Sequence, residues 1–237
     1  MLIFNRAFTM NKLTNGFTLA EVLITIGVIG VVAAMTIPTL ISSYKKKVIE
    51  TRLSKFYSTM NQALKLAEYD YDDRSGWDEL GNGFIEDENG NNVPAAESWV
   101  KKYLIPYIKA DTKMKNAQGK IELYFQDGSA VVISSASWLY YPDASKYKIA
   151  EDGVIDQNIA GKDMFIFFYG GNQNPSNSSS KYVGNGVEPY KYAWNGTRED
   201  LFSGKYGCGK SGVINAYCTE LIKSNNWKFP KDYPIKI

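Results

Sequence analysis

Histidine is missing from all 237 residues. Its absence removes Ser-His-Asp and Cys-His nucleophile systems, histidine metal sites and the ordinary neutral-pH proton shuttle together. Cysteine is nearly missing: Cys208 and Cys218, close to the C-terminus, are the only two. Such sparing use fits one disulfide in an oxidising compartment, with a pair of reduced buried thiols as the alternative. A charge excess is lacking too. Lys plus Arg number 27 and Asp plus Glu 25, so the chain has no basic excess of the kind a nucleic-acid surface needs, and no nucleic-acid partner is expected.

What the chain does have is one long apolar run. Phe17 to Ile41 reads FTLAEVLITIGVIGVVAAMTIPTLI, and its only ionisable side chain is Glu21. These roughly 25 residues make a helix of ~37 Å, more than the ~30 Å hydrocarbon core of a bilayer. A secretory signal has an apolar core of about 7–15 residues followed by a small-residue cleavage site, so the run is too long for one. Within it Glu21 is the anomaly. A carboxylate among apolar membrane residues costs several kcal/mol unless it is paired or neutralised, and such residues usually mark function.

Lys12, then Gly16-Phe17-Thr18-Leu19 with Glu21 and the unbroken apolar run, resembles the N-terminal cleavage and methylation signal of type IV pilins and type II secretion pseudopilins. The resemblance implies cleavage between Gly16 and Phe17 by a prepilin peptidase, N-methylation of Phe17, and pairing of Glu21 with the Phe17 amine of an adjacent subunit during assembly. It implies a structural subunit rather than an enzyme, with other pilin or pseudopilin subunits, an inner-membrane assembly platform and the lipid bilayer as partners. The expected location is the bacterial inner membrane, single pass, with the head outside the cytoplasm, and then a periplasmic or surface filament. Gly30 and Pro38 also fall where such chains resemble one another. Gly weakens a helix and Pro removes a hydrogen bond, which makes 30–38 the expected stretch of local unwinding in the filament.

Two sequence features bear on this reading. Lys45-Lys46-Lys47 follows the run directly, and the positive-inside rule places such a triplet in the cytoplasm, whereas the resemblance places it outside. Met10 offers an alternative start that leaves the compact leader MNKLTNG. A single-pass anchor carrying an extracytoplasmic binding or enzymatic domain is the alternative function.

The expected organisation is a leader at 1–16, a transmembrane helix half at 17–41, an amphipathic helix half at 42–69 and a globular head at 70–237. The fold class that the resemblance implies is α+β and pilin-like, a long N-terminal transmembrane-plus-amphipathic helix packed on an antiparallel β-sheet head. After the lysines, Ile49, Leu53, Phe56, Met60, Leu64 and Ala67 recur at steps of three and four, the stripe of an amphipathic helix. Residues 70–92 are acidic and rich in Gly and Asn and read as loop, and Pro94 opens a short helix through Tyr107. Residues 121–126 and 129–134 flank Asp127-Gly128 as a hairpin with a type I′ turn. Residues 164–169 form a further strand, 172–186 a polar exposed loop, and about 216–223 a short helix ahead of an extended end.

Three tempting motifs carry less. Gly204 to Ser211 has Walker A spacing but follows no buried strand. Asp87, Asn89 and Asn91 start like a calcium loop, yet Asn92 stands where glycine is required and Ser98 where a bidentate Glu is required. Asp152, Asp156, Asn158 and Asp163 form an oxygen-rich cluster in a region that binds calcium in some pseudopilins the chain resembles. A solvated loop is the preferred reading there, and no cofactor is expected.

Overall fold

The computed structural model describes residues 16–81, 83–108, 113–117, 120–148, 159–170, 186–203, 205–209 and 214–237. The chain divides between Ser43 and Tyr44 into two compact units. The helix α1, Leu19–Tyr71, contributes residues to each.

In the first unit α1 carries the apolar run, and none of its described side chains is buried. Phe17 is 88% exposed and Leu19 78%. By length and composition this is the one helix among the described residues able to cross a membrane.

In the second unit the expected stripe is the buried stripe. Ile49, Leu53, Phe56, Met60, Leu64 and Ala67, joined by Ala63, all leave solvent. The helix stops at Tyr71, where Asp72 turns to φ 58°. The indole nitrogen of Trp77 donates to the carbonyls of Tyr71 and Asp72 at 3.3 and 3.1 Å, giving the helix end the partners it lacks internally.

Residues 70–92, expected as loop, hold a short two-stranded ribbon, β1 (Phe84–Glu86) with β2 (Asn92–Pro94). Asp87 closes its turn by accepting from the backbone N–H groups of Asn89 (2.9 Å) and Asn91 (2.8 Å), an Asx turn rather than a calcium loop. The helix α2 (Ala96–Tyr103) follows and places Trp99 and Tyr103 in the core, where Tyr103 stacks on Trp77 at 4.3 Å.

The head is built on a six-stranded antiparallel sheet in sequence order: β3 (Lys113–Ala117), β4 (Lys120–Tyr124), β5 (Ala130–Ser134), β6 (Ser137–Tyr141), β7 (Phe165–Gly170) and β8 (Gly186–Pro189). The expected hairpin is β4–β5, with Tyr124 opposite Ala130. Its connection is longer than a two-residue type I′ turn. Phe125 N–H donates to Ser129 across it and Gly128 alone has positive φ, 79°, whereas type I′ needs positive φ at Asp127 as well.

The central strands are buried on both faces, which is why residues 131–133 and 164–169 read as continuous apolar runs rather than alternating ones. One face meets α1: Phe56 stacks on Tyr140 at 4.2 Å and meets Phe167 edge-on at 4.9 Å. Val132, Leu139, Tyr141 and Ile166 point the other way, into a smaller core with Ala160 and Ala216. Strands β3, β6 and β8 were not expected. Gly186 belongs to β8 rather than to the polar loop; residues 172–185, the rest of that loop, lie outside the described residues. The last helix is α3, Cys218–Ser224.

Candidate functional site

The residues singled out at the N-terminus meet in the first turn of α1. Thr18 precedes the helix and Glu21 is its third residue. The Glu21 carboxylate accepts from the Thr18 backbone N–H at 2.8 Å and from the Thr18 hydroxyl at 2.7 Å, while the same hydroxyl oxygen accepts from the Glu21 N–H at 3.3 Å. This is a reciprocal capping box, Thr-x-x-Glu, which satisfies helix-end donors that have no partner inside the helix. Glu21 therefore has a local task even in a single chain. The ring of Phe17, with Glu21, Val22 and Thr25, lines one shallow open groove on that turn. Gly16 stands exposed just ahead.

Gly30 and Pro38 both sit inside unbroken helix. Pro38 has no N–H to give the carbonyl one turn back, and a methyl group added at Gly30 would meet nothing within 4 Å.

In the head, Cys208 and Cys218 form a disulfide buried among Leu201, Tyr217 and Leu221. It ties the segment before α3 to the first residue of that helix. Asp163 is half-buried at the end of the turn into β7, while Asp152, Asp156 and Asn158 lie outside the described residues, as do Gly204, Lys210 and Ser211 of the Walker-like stretch. Among the described residues no group of acidic or cysteine side chains has the arrangement to hold a metal ion.

One polar cluster escaped the sequence. Glu188 on β8, 6% exposed, accepts from the Tyr57 hydroxyl at 2.8 Å and pairs with Lys191 at 3.2 Å and with Lys223 of α3. Burial alone would push its carboxyl up, but the Lys223 hydrogen bond and charge, with Tyr57 and Lys191, hold it below the ordinary carboxylate value. Nearby Glu220 moves the opposite way: burial raises it, and the charge of Glu188 adds to that. The cluster fastens α1, β8 and α3 together. Its only sequence signal was Glu188 between apolar neighbours, and its partners are remote in the chain.

Two family models match the chain. The prokaryotic N-terminal methylation motif, the type IV pilin and pseudopilin signal, covers residues 11–37. The second, a family of unknown function, DUF6613, covers residues 39–237. The chain belongs to DUF6613. No curated protein and no solved structure matches it. This DUF6613 member thus joins a pilin-type signal to an α+β, pilin-like architecture of long helix and antiparallel sheet. Signal and apolar helix together fit a membrane-anchored subunit of the processed, pilin type, a structural rather than an enzymatic class.

Proposed function

We propose that this DUF6613 protein is a structural subunit of a type IV pilus-like or type II secretion pseudopilus filament. The observation that carries the reading is the coincidence of the methylation motif with a helix that buries none of its apolar side chains between Leu19 and Ile41. Prepilin peptidase cuts between Gly16 and Phe17, the new Phe17 amine is methylated, and the chain waits in the inner membrane with its head outside the cytoplasm. Lipid solvates the apolar helix at that stage. On assembly, helix-to-helix packing with neighbouring subunits replaces lipid, since apolar surface alone gives no preference for protein over acyl chains.

Glu21 supplies register. Its carboxylate passes from the Thr18 cap to the Phe17 amine of an adjacent subunit, an attraction strengthened by the apolar surroundings. Gly30 and Pro38 allow local unwinding in the packed state. The assembly platform drives insertion.

Sheared surface or periplasmic filaments from cells expressing the chain test this directly. The chain is expected in the filament fraction at its shortened size. A processed chain that remains monomeric in the membrane would refute polymerisation while leaving the processing step intact.

A further inference from the structure

The loop that follows β8 carries a triplet whose side chains enter no core. Asn195-Gly196-Thr197 and Asn177-Ser178-Ser179 are the two places in the chain where asparagine is followed by a residue other than proline and then by serine or threonine. That is the acceptor pattern of N-linked glycosylation, a modification of surface loops in exported proteins. Such triplets also arise by composition, so the surroundings decide. Asn177 lies outside the described residues, whereas Asn195, Gly196 and Thr197 are all exposed.

Asn195 Oδ1 accepts from the Thr197 backbone N–H and from the Thr197 hydroxyl, each at 2.8 Å. Among the described residues the amide nitrogen beside it has no acceptor. An amide nitrogen is a poor nucleophile because its lone pair is delocalised into the carbonyl. Two donors on Oδ1 stabilise charge there and favour the imidol form, which leaves Nδ2 a localised pair. The other hydrogen bonds of the triplet stay within residues 194–200. Asn195 N–H donates to Asp200 at 3.0 Å, Asp200 N–H to the Thr197 hydroxyl at 3.3 Å, and the Trp194 indole to the Thr197 carbonyl at 2.7 Å. A transferase can therefore engage the turn without opening the head. Gly196 stands in open space, where an added β-carbon would meet nothing within 4 Å. Resting on the reading that the head lies outside the cytoplasm, we infer that Asn195 is the acceptor of an N-linked glycan. The donor is a sugar activated on a polyprenyl diphosphate and transferred by a membrane enzyme. Nδ2 attacks the anomeric carbon, and the new C–N bond forms as the bond from that carbon to the diphosphate oxygen breaks. The polyprenyl diphosphate leaves with the electron pair, and one amide proton passes to a base of the transferase.

The full chain, isolated from membranes of a prokaryote whose exported proteins carry N-linked glycans, is digested and its peptides are sequenced by mass spectrometry. The peptide containing Asn195 is expected to be heavier by one or more sugar residues, localised to that asparagine. Asn195→Gln and Thr197→Ala lose the added mass, while Thr197→Ser, which keeps the hydroxyl, and Asn177→Gln retain it. A bare Asn195, a sugar that survives Thr197→Ala, or a mass change that matches only deamidation at Asn195-Gly196 overturns the site. Protease added to intact spheroplasts separates this failure from failure of the reading beneath it. A head that is cut while Asn195 is bare refutes the glycan site alone, whereas a protected head refutes the placement outside the cytoplasm.

Discussion

Thr18 and Glu21 hold each other at the mouth of α1, each accepting a hydrogen bond from the other's backbone N–H. A residue that looks like a stray charge in a membrane span is thus the second half of a helix cap. Capping and intersubunit pairing make different demands on it, and substitution separates them. Glu21→Gln keeps an acceptor for the Thr18 N–H and removes the charge, while Glu21→Ala removes both. Processing at Gly16 is expected to survive in either variant, and incorporation into filaments to fail in both. Normal filaments from Glu21→Gln would show that the cap, not the charge, is what assembly uses.

The seam between α1 and the sheet is set by Phe56, which is 4% exposed and packed against Tyr140 and Phe167. Phe56→Ala should lower head stability by about 3–5 kcal/mol, the usual cost of deleting a buried aromatic ring. Urea unfolding followed by tryptophan fluorescence measures it. A loss under about 1 kcal/mol would mean that the helix is not part of the folded core.

The disulfide closes a short loop, with a sequence separation of 10 between Cys208 and Cys218. Loop-closure entropy gives such a bridge about 2.5–3 kcal/mol. Replacing both cysteines by serine, or reducing the bridge, should lower the melting temperature by roughly 5–10 °C for a head of this size. An unchanged melting temperature on reduction would contradict this.

Glu188 and Glu220 predict opposite pH behaviour. Glu188 is held below the ordinary glutamate value of about 4.3, so its stabilisation is complete above that value and is lost as pH falls through the lowered one. Glu188→Gln should therefore weaken the head most at neutral pH, and the gap to wild type should narrow as pH falls below the ordinary glutamate value. Glu220 is raised, so its burial costs stability as pH climbs from the ordinary value through the raised one. Glu220→Gln, neutral at every pH, should stabilise the head at neutral pH relative to wild type. Urea midpoints at several pH values check both, and a pH-independent gap in either variant would contradict its assignment.

How far the sequence carried these conclusions depended on whether a signal was local. The α1 stripe was legible because burial on one side of a helix imposes a period that six residues from Ile49 to Ala67 display openly. The β4–β5 hairpin was legible from Asp127-Gly128, though the turn type was not, because αL geometry at Gly128 alone suffices for the longer connection. Strand β8 was hidden: Gly186-Val-Glu-Pro is short and carries a charge, and its strand identity comes from pairing with β7 and from Lys223 and Lys191 neutralising Glu188. At the N-terminus Thr18 is named within the Gly16-Phe17-Thr18-Leu19 signal, but its capping role with Glu21 is not read from it. Thr-x-x-Glu ahead of an apolar run is a capping signature in its own right, and it lay within the better-known signal.

Membership of a filament as proposed requires that the chain be trimmed before Phe17 and methylated there. Intact-mass analysis and N-terminal sequencing of the chain from the membrane fraction test it most directly. The account predicts a mature chain beginning at Phe17 and carrying one methyl group on its amine. A chain that retains residues 10–16 in cells with active prepilin peptidase would contradict it.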